Sequence, residues 1–201
     1  MLEERIRKLH AEGRFREAIT VALEGYGPEL LSFLSVALRS EMDVNDVFGM
    51  TCLDLWNGIR GFRFECTFRT WAYLIARHAQ VRYSRKEGSR GMQEALSSIP
   101  HLSEIEGRVR TATRPYLRSA MKDRVSQLRA QLTPDEQMLL VLRIDRDLPW
   151  TDVARIVATG DDAPMSDAEL TQCAAMCRKK FERITAKLRR FAEEQGLFTE
   201  A

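Results

Sequence analysis

Apolar residues along this chain recur at intervals of three and four positions, and the strict alternation typical of strands is absent. The apolar run from Leu30 to Leu38 follows Gly27 and Pro28, and proline is favoured in the first turn of a helix. We therefore expect one helix to begin at this pair and a shorter helix to precede it over residues 14–24. The pattern as a whole predicts an all-α protein.

The helical pattern weakens in the middle of the chain. Between residues 87 and 122, glycine, serine, threonine and proline interrupt any long apolar period. A short helix over residues 102–109 fits within this stretch, but the segment has too few apolar residues to build a core of its own. We therefore predict two small helical domains, residues 1–86 and 123–201, joined by a linker over residues 87–122.

Two helices are predicted towards the end of the first domain. One covers residues 45–57 and ends where Gly58 and Gly61 interrupt the apolar pattern. The next begins at about Cys66 or Thr67, and its apolar stripe includes Phe68 and Trp71.

The second domain carries two signatures of helix starts. A short helix around Val153 should end at Gly160, and a turn then leads to a long basic helix with Gly196 as its C-cap. This order predicts a helix-turn-helix, whose second helix normally enters the major groove of DNA, although a basic face can also be merely solvated. The two signatures are capping boxes, Thr133-Pro134-Asp135-Glu136 before a helix over residues 137–144 and Ser166-Asp167-Ala168-Glu169 before the last helix.

Composition narrows the classes of protein that fit. A hydrophobic fraction of 44% with 30% charged residues indicates a folded chain, and the net charge of +2 hides seven basic residues between Arg178 and Arg190. No apolar run approaches the roughly 20 residues of a membrane span, and no signal core opens the chain, so we expect a cytoplasmic protein with reduced cysteines.

Candidate chemistry is sparse. The histidines are scattered without a carboxylate or cysteine at metal-ligand spacing, no catalytic motif is present, and no cysteine pair has CxxC spacing, so we expect neither an enzyme, nor a metal, nor a cofactor. Cys173 and Cys177 lie one helical turn apart on the apolar stripe of the last helix, which favours small core residues over a redox pair.

Aromatic and basic residues are concentrated in one short segment. Five aromatic residues fall within twelve positions, from Phe62 to Tyr73, and four basic residues follow between Arg77 and Lys86. Rings that stack on unpaired bases, beside cations that neutralise phosphates, are typical of single-stranded nucleic-acid binding. Phe68 and Trp71 lie on the apolar stripe and are expected in the core, whereas Phe64 and Tyr73 are the better candidates for exposure.

The order of these residues resembles a known family. The run DVNDVFGMTCLDLW followed by FRFECTFRTWAYLIAR resembles the second conserved region of sigma-70 family transcription initiation factors, especially the extracytoplasmic-function (ECF) group. The later runs LTPDEQMLLVLRIDRDLPWTDVARIV and CRKKFERITAKLRRF resemble the fourth region of that family. The resemblance implies a region 2-like bundle and a region 4-like helix-turn-helix. It implies core RNA polymerase and promoter DNA as partners, with an anti-sigma factor as a further one.

The resemblance also assigns roles to residues. The helix from Asp43 would dock on the polymerase clamp, the aromatic segment would melt and hold the minus-10 DNA, and the last helix would read the minus-35 element. The implied residues are Asp43, Asp46, Val47 and Leu55 for polymerase; Arg63, Phe64, Arg69, Trp71, Tyr73, Arg77 and Arg82 for minus-10; and Arg178, Lys179, Lys180 and Arg183 for minus-35.

Two features depart from the family pattern. The polar pair that usually follows the first acidic residues is replaced by Gly49 and Met50, and the turn of the helix-turn-helix is longer, with an acidic loop around residues 161–165. That loop should fold away from DNA or contact another protein, or else the recognition helix begins early, at Asp167. Two other functions therefore stay open: a helix-turn-helix regulator that acts without polymerase, and a sigma-like interaction protein.

Overall fold

The computed structural model describes residues 1–38, 40–85, 92–120, 128–158 and 165–194, without the side chains of residues 92–93 and 114–120. No strand occurs in these ranges, which agrees with the predicted all-α class. Gly160, the acidic loop at 161–164, Lys86 and the C-cap at Gly196 lie outside the described residues. The helices are α1 (Leu2–Ala11), α2 (Phe15–Ala37), α3 (Glu41–Gly58), α4 (Phe68–Ser84), α5 (Met92–Ser97), α6 (Pro100–Ala120), α7 (Pro134–Leu140), α8 (Trp150–Val157) and α9 (Asp167–Glu194).

The chain divides into two compact units, Met1–Leu117 and Arg118–Ala201. In the first unit, α1, α3 and α4 pack around α2, and α5 packs against α3. In the second unit, α9 packs against α7 and α8. The predicted domain boundaries at residues 86 and 123, and the separate roles of the two domains, stay predictions.

One continuous helix, α2, replaces the two helices that were expected to meet at Gly27 and Pro28. Pro28 lies inside this helix, where it removes one backbone hydrogen bond. The residue is exposed, and so is Glu24, whose carbonyl loses the bond, so water can reach this part of the helix. Gly27 is buried for a different reason: a Cβ built there would lie 2.5 Å from Cγ1 of Val109 in α6. The glycine therefore permits a close approach between two helices and does not start one.

The substitution Gly27→Ala should destabilise the first unit. Alanine favours a helix by about 0.5–1 kcal/mol over glycine, but the stiff β-branched side chain of Val109 has to move, and overpacking costs roughly 1–3 kcal/mol. Gly107→Ala in α6 is the matched control, because a Cβ at that position meets nothing within 4 Å. Urea unfolding followed by circular dichroism should show the first variant less stable than the parent protein and the second slightly more stable. Equal stabilisation of both would show that the contact does not constrain α2.

The segment predicted as a linker contains two helices in its described part. Helix α6 is much longer than the expected stretch of residues 102–109, and it buries Leu102, Ile105 and Val109 along one stripe. Nε2 of His101 lies 2.8 Å from Oγ1 of Thr20, which places the start of α6 beside α2. Three apolar residues at helical spacing are enough to pack α6, because α2 supplies the surface against which they lie. The number of apolar residues in the segment therefore did not predict whether it forms a packed helix. Their arrangement along one stripe of α6 determines that packing.

The second unit begins with the predicted capping box. The hydroxyl of Thr133 accepts from the backbone N–H of Glu136, whose carboxylate accepts from the N–H of Thr133 at 2.8 Å. The following helix changes to a π turn over Val141–Asp145, and Asp147 then takes a left-handed conformation with φ of 50°. The second capping box also forms, because Glu169 accepts from the N–H of Ser166 at 2.8 Å. The helix α9 therefore begins at Asp167. This is the early start that the sequence offered as one explanation of the long turn.

Candidate nucleic-acid interface

An aromatic cluster forms where α3 ends and α4 begins. After a short 3-10 turn, Ile59–Gly61, the chain crosses to α4 through residues 62–67. Phe62 stacks on Trp71 with ring centroids 4.6 Å apart and an interplanar angle of 17°, and Phe64 lies 4.5 Å from Phe62. These three rings are half-buried, so each keeps some surface in contact with solvent.

The position of Phe64 is set by an uncommon backbone conformation. Its φ is 58°, in the left-handed region that a bulky residue rarely occupies. The ring packs edge-on against His10, with centroids 5.0 Å apart, and the guanidinium of Arg7 lies 5.0 Å from its centroid. Tertiary contacts from α1 therefore hold a strained residue in place, which is common where a side chain has a binding role.

Sequence reasoning missed the part that α1 plays at this site. The carboxylate of Glu3 accepts from the backbone N–H groups of Phe68 and Arg69, at 3.0 and 2.9 Å, and so caps the start of α4. The hydroxyl of Tyr26 donates to the same carboxylate at 2.7 Å. Burial first, and then this carboxylate, raise the pKa of Tyr26. A negative charge at a helix N-terminus is favourable, and here it comes from a helix far away in the sequence.

Glu3→Gln should loosen the start of α4. The amide can replace only one of the two acceptor oxygens, and hydrogen bonds to a charged group contribute about 1.5–3 kcal/mol. We expect a drop of that order in the free energy of unfolding of the first unit, measured by urea titration of tryptophan fluorescence. Glu4→Gln is the matched control, because the exposed Glu4 bonds only the N-terminal amine, at 2.9 Å. A similar loss in both variants would indicate a general effect of charge and would contradict the capping role.

The predicted minus-10 cations differ in how accessible they are. Arg63 is exposed. Arg69 forms a two-pronged ion pair with Glu29, with N–O distances of 2.7 and 2.8 Å, and this pairing raises its pKa. Arg82 pairs with Asp54, and Arg77 donates to the side chain of Gln80.

The ion pair of Arg69 joins α4 to α2, so Arg69 can contact phosphate only by exchanging Glu29 for it, and its DNA contact stays a prediction. Two arginines that sequence reasoning did not select lie beside the aromatic cluster. Arg7 lies over Phe64, and Arg60 lies over Phe15 at 5.4 Å from its centroid. Both side chains are exposed. The cations that border the cluster are therefore Arg7, Arg60 and Arg63, which we call the basic rim.

The expectation that Tyr73 is exposed is wrong. Its side chain is fully buried and packs edge-on against Phe33 of α2, with centroids 5.1 Å apart. The helix α4 packs against both α2 and α3, so the side of α4 that carries Tyr73 also faces the core. Phe68 is buried, as expected, whereas Trp71 remains half-buried.

The four residues assigned to polymerase contact separate into two pairs. Asp43 and Asp46 are partly exposed near the start of α3, and the hydroxyl of Tyr83 donates to Asp43 at 2.7 Å. This bond is the main cause that raises the pKa of Tyr83 to about 12. Val47 and Leu55 are fully buried in the first unit, so their expected direct contact with a partner is corrected.

The second unit presents the pair of helices expected of a helix-turn-helix. Leu170 and Ala174 of α9 pack with Ala154 of α8, and Cys173 borders the same cluster. Burial first, and then Cys173, raise the pKa of Cys177 to about 11. The Cys177 thiol therefore stays protonated near neutral pH, which fits a small core residue better than a reactive one.

The predicted minus-35 residues lie on the exposed side of α9. Arg178, Lys179, Lys180 and Arg183 are all exposed. The guanidinium of Arg178 lies 6.0 Å from the ring centroid of Trp150. Because α9 begins at Asp167, about three turns of helix precede Arg178, with exposed residues of their own. These include Gln172 and Met176, and the exposed fraction of Met176 is 58%.

Comparisons with known proteins address the same segment. A family model described as Sigma-70 region 2 matches residues 22–90, which include α3, the aromatic cluster and α4. The chain is 25% identical over 148 residues to RNA polymerase sigma factor YlaC of Bacillus subtilis (strain 168), across 72% of this chain and 82% of YlaC. No solved structure matches the chain. The matched region holds the aromatic cluster, and the similarity to a sigma factor extends over most of the chain, so the comparisons support an ECF-like sigma factor of the sigma-70 family.

Proposed function

We propose that this protein binds core RNA polymerase and directs it to promoters, where it helps to melt the DNA and start transcription. The observation that carries the proposal is the aromatic cluster with its basic rim, which lies inside the segment that matches Sigma-70 region 2. It acts by binding, and the bond-forming chemistry belongs to the polymerase. We infer that it works in the cytoplasm, together with the polymerase and the promoter DNA.

The minus-10 strand is held at the aromatic cluster. Phe64 and Trp71 offer half-exposed rings, and stacking of a base on such a ring is worth about 1–3 kcal/mol. The stacked bases have to be unpaired, so the energy becomes available only as the strands separate. The basic rim of Arg7, Arg60 and Arg63 follows the phosphates beside these bases. Arg77 and Arg82 contribute only if they exchange their contacts within the protein for phosphate.

The minus-35 element is read by α9 in the major groove. The helix is 28 residues long, and Lys179, Lys180 and Arg183 stand on its exposed surface. Its first turns, with Gln172 and Met176, precede this basic region and are suited to contact base edges.

The first unit binds polymerase through the start of α3. Asp43 and Asp46 supply accessible negative charge near one end of this helix. Val47 and Leu55 support the surface from within. Asp46→Arg should therefore reduce the affinity for core polymerase without unfolding the chain, whereas Val47→Glu would place a charge in the core and report on folding instead.

Reconstitution with core RNA polymerase tests the proposal against its alternatives. Promoter-specific transcripts from purified polymerase and this protein are the expected result. Sequence-specific DNA binding without any effect on polymerase would favour a helix-turn-helix regulator, while polymerase binding without initiation would favour a sigma-like interaction protein. Asp46→Arg serves as the specificity control in the same assay. An anti-sigma factor would be identified separately, as a protein that prevents the polymerase complex from forming.

A further inference from the structure

His10, in the last turn of α1, contacts two aromatic rings at the edge of the aromatic cluster. Its imidazole packs edge-on against Phe64 of the loop and against Phe15 of α2, with centroids 5.0 and 5.1 Å apart. Each of these two rings also carries a guanidinium: Arg7 lies over Phe64, and Arg60 lies over Phe15. His10 therefore touches both rings over which members of the basic rim lie.

The same imidazole also bonds the backbone where the loop begins. Nε2 of His10 lies 2.8 Å from the carbonyl oxygen of Ile59. Because a carbonyl oxygen only accepts, Nε2 carries the hydrogen and donates it. This carbonyl also accepts from the backbone N–H of Phe62 at 3.2 Å, just after the 3-10 turn. One side chain of α1 thus supports the loop at two points, at its beginning and at Phe64.

The position of His10 is itself fixed by the end of α1 and the turn that follows. The N–H of Gly13 donates to the carbonyl of His10 at 3.0 Å. Gly13 has φ of 71°, in the left-handed region that favours glycine, so this turn is specified by the sequence. Ile6 and Leu9, in the same helix, are buried. Since the turn and the buried stripe of α1 both hold it, His10 is a rigid support for the loop.

We propose that His10 is a positioning residue for strand separation, which holds Phe64 in the conformation that accepts an unpaired base. The inference rests on the proposed function, in which Phe64 stacks on a base of the minus-10 strand. A bulky residue at φ of 58° keeps this conformation only where its surroundings hold it. Without His10 the loop would relax, and the DNA would have to order it again on binding. His10 therefore acts through Phe64 and needs no DNA contact of its own.

His10→Leu in the full-length protein, assembled with core RNA polymerase, tests the inference. The variant loses the hydrogen bond to Ile59 and the edge-on contact with Phe64. The equilibrium constant for open-complex formation, followed by permanganate footprinting of melted thymines, should fall by about 2- to 12-fold, the range for one such contact. The affinities for core polymerase and for duplex promoter DNA should not change, because neither step uses the ring of Phe64.

His101→Leu is the matched control. His101 is also half-buried, and its Nε2 lies 2.8 Å from Oγ1 of Thr20, between α6 and α2. The same chemical change therefore removes a comparable contact away from the loop. Open-complex formation should be unchanged in this variant, even where urea unfolding shows a similar loss of stability. An equal loss of melting in both variants would reflect general destabilisation and would overturn the inference.

A double-mutant cycle with Phe64→Ala separates positioning from a merely structural role. Once the ring of Phe64 is gone, His10→Leu has nothing left to position, so its effect on open-complex formation should disappear. If the fold loss were the same in both backgrounds, His10 would act independently of Phe64 and the inference would be overturned.

NMR scalar couplings of the free full-length protein give a measurement that does not depend on polymerase. The φ of Phe64 should leave the left-handed region in His10→Leu and remain there in His101→Leu. An unchanged φ in His10→Leu would overturn the inference and leave the sigma function intact. Absence of open complexes with the parent protein would instead overturn the proposed function, whatever the value of φ.

Discussion

Phe64→Ala should reduce open-complex formation by about 5- to 150-fold, which corresponds to the ~1–3 kcal/mol of one stacked base. The affinity for duplex promoter DNA should hardly change, because the ring meets a base only after the strands part. The half-buried ring packs against Phe62 and His10, so some loss of stability is also expected. Permanganate footprinting of melted thymines, together with duplex binding in the presence of polymerase, measures the two steps separately.

Tyr73→Phe is the matched control for this experiment. It alters an aromatic residue of the same region, but the side chain is fully buried against Phe33 and cannot reach DNA without unfolding. Its open-complex yield should follow that of the parent protein. If Phe64→Ala lowered duplex affinity and melting equally, the ring would contribute to docking in general and would have no specific part in holding a separated strand.

The second large effect is expected in α9. Gln172→Ala should cost roughly 1–3 kcal/mol on the matched minus-35 sequence and relax the preference at one base position, since an amide side chain can read a base edge. Arg178→Ala should weaken binding to every sequence alike and lower the salt slope by about one, as expected for a lost phosphate contact. The reason is the early start of the helix at Asp167, which moves its groove-facing end towards Gln172 and Met176.

Promoter affinity measured against salt concentration, on matched and mutated minus-35 sequences, distinguishes the two kinds of contact. If Arg178→Ala relaxed the preference at one position and Gln172→Ala had no effect, the helix would enter the groove further along its length. Glu193→Ala is a suitable control, because this exposed residue lies near the end of the helix and should not contact the groove. Unchanged affinity in every variant that removes a basic residue would mean that this face is merely solvated.

Local sequence was a good guide wherever a short segment decides its own structure. Both capping boxes form, because the groups that bond in them lie three residues apart. The helical class followed from the spacing of apolar residues. The match to Sigma-70 region 2 also followed from sequence order, because this region is a contiguous segment that holds its aromatic and basic residues in a fixed succession.

The accessibility of individual side chains was harder to predict from the sequence. Tyr73 and Arg69 are polar at one end and lie near the predicted interface, so their sequence context resembles that of Phe64 and Arg63. The accessibility of these two side chains depends on Phe33 and Glu29, which belong to α2 and are about 40 residues away. Nothing in the local pattern indicates which stripe of a helix faces a neighbour when two neighbours pack against it.

By itself the sequence determined the helical class, both capping boxes, the resemblance to sigma-70 region 2 and the short segment where DNA contacts should be sought. Only the tertiary structure decided which side chains are free to make those contacts. It also brought Glu3 and Arg7 of α1 to the start of α4 and to the aromatic cluster, and it packed α6 against Gly27 of α2. The physical reason is that helix formation and capping act over three or four residues, whereas burial depends on surfaces that come together from distant parts of the chain.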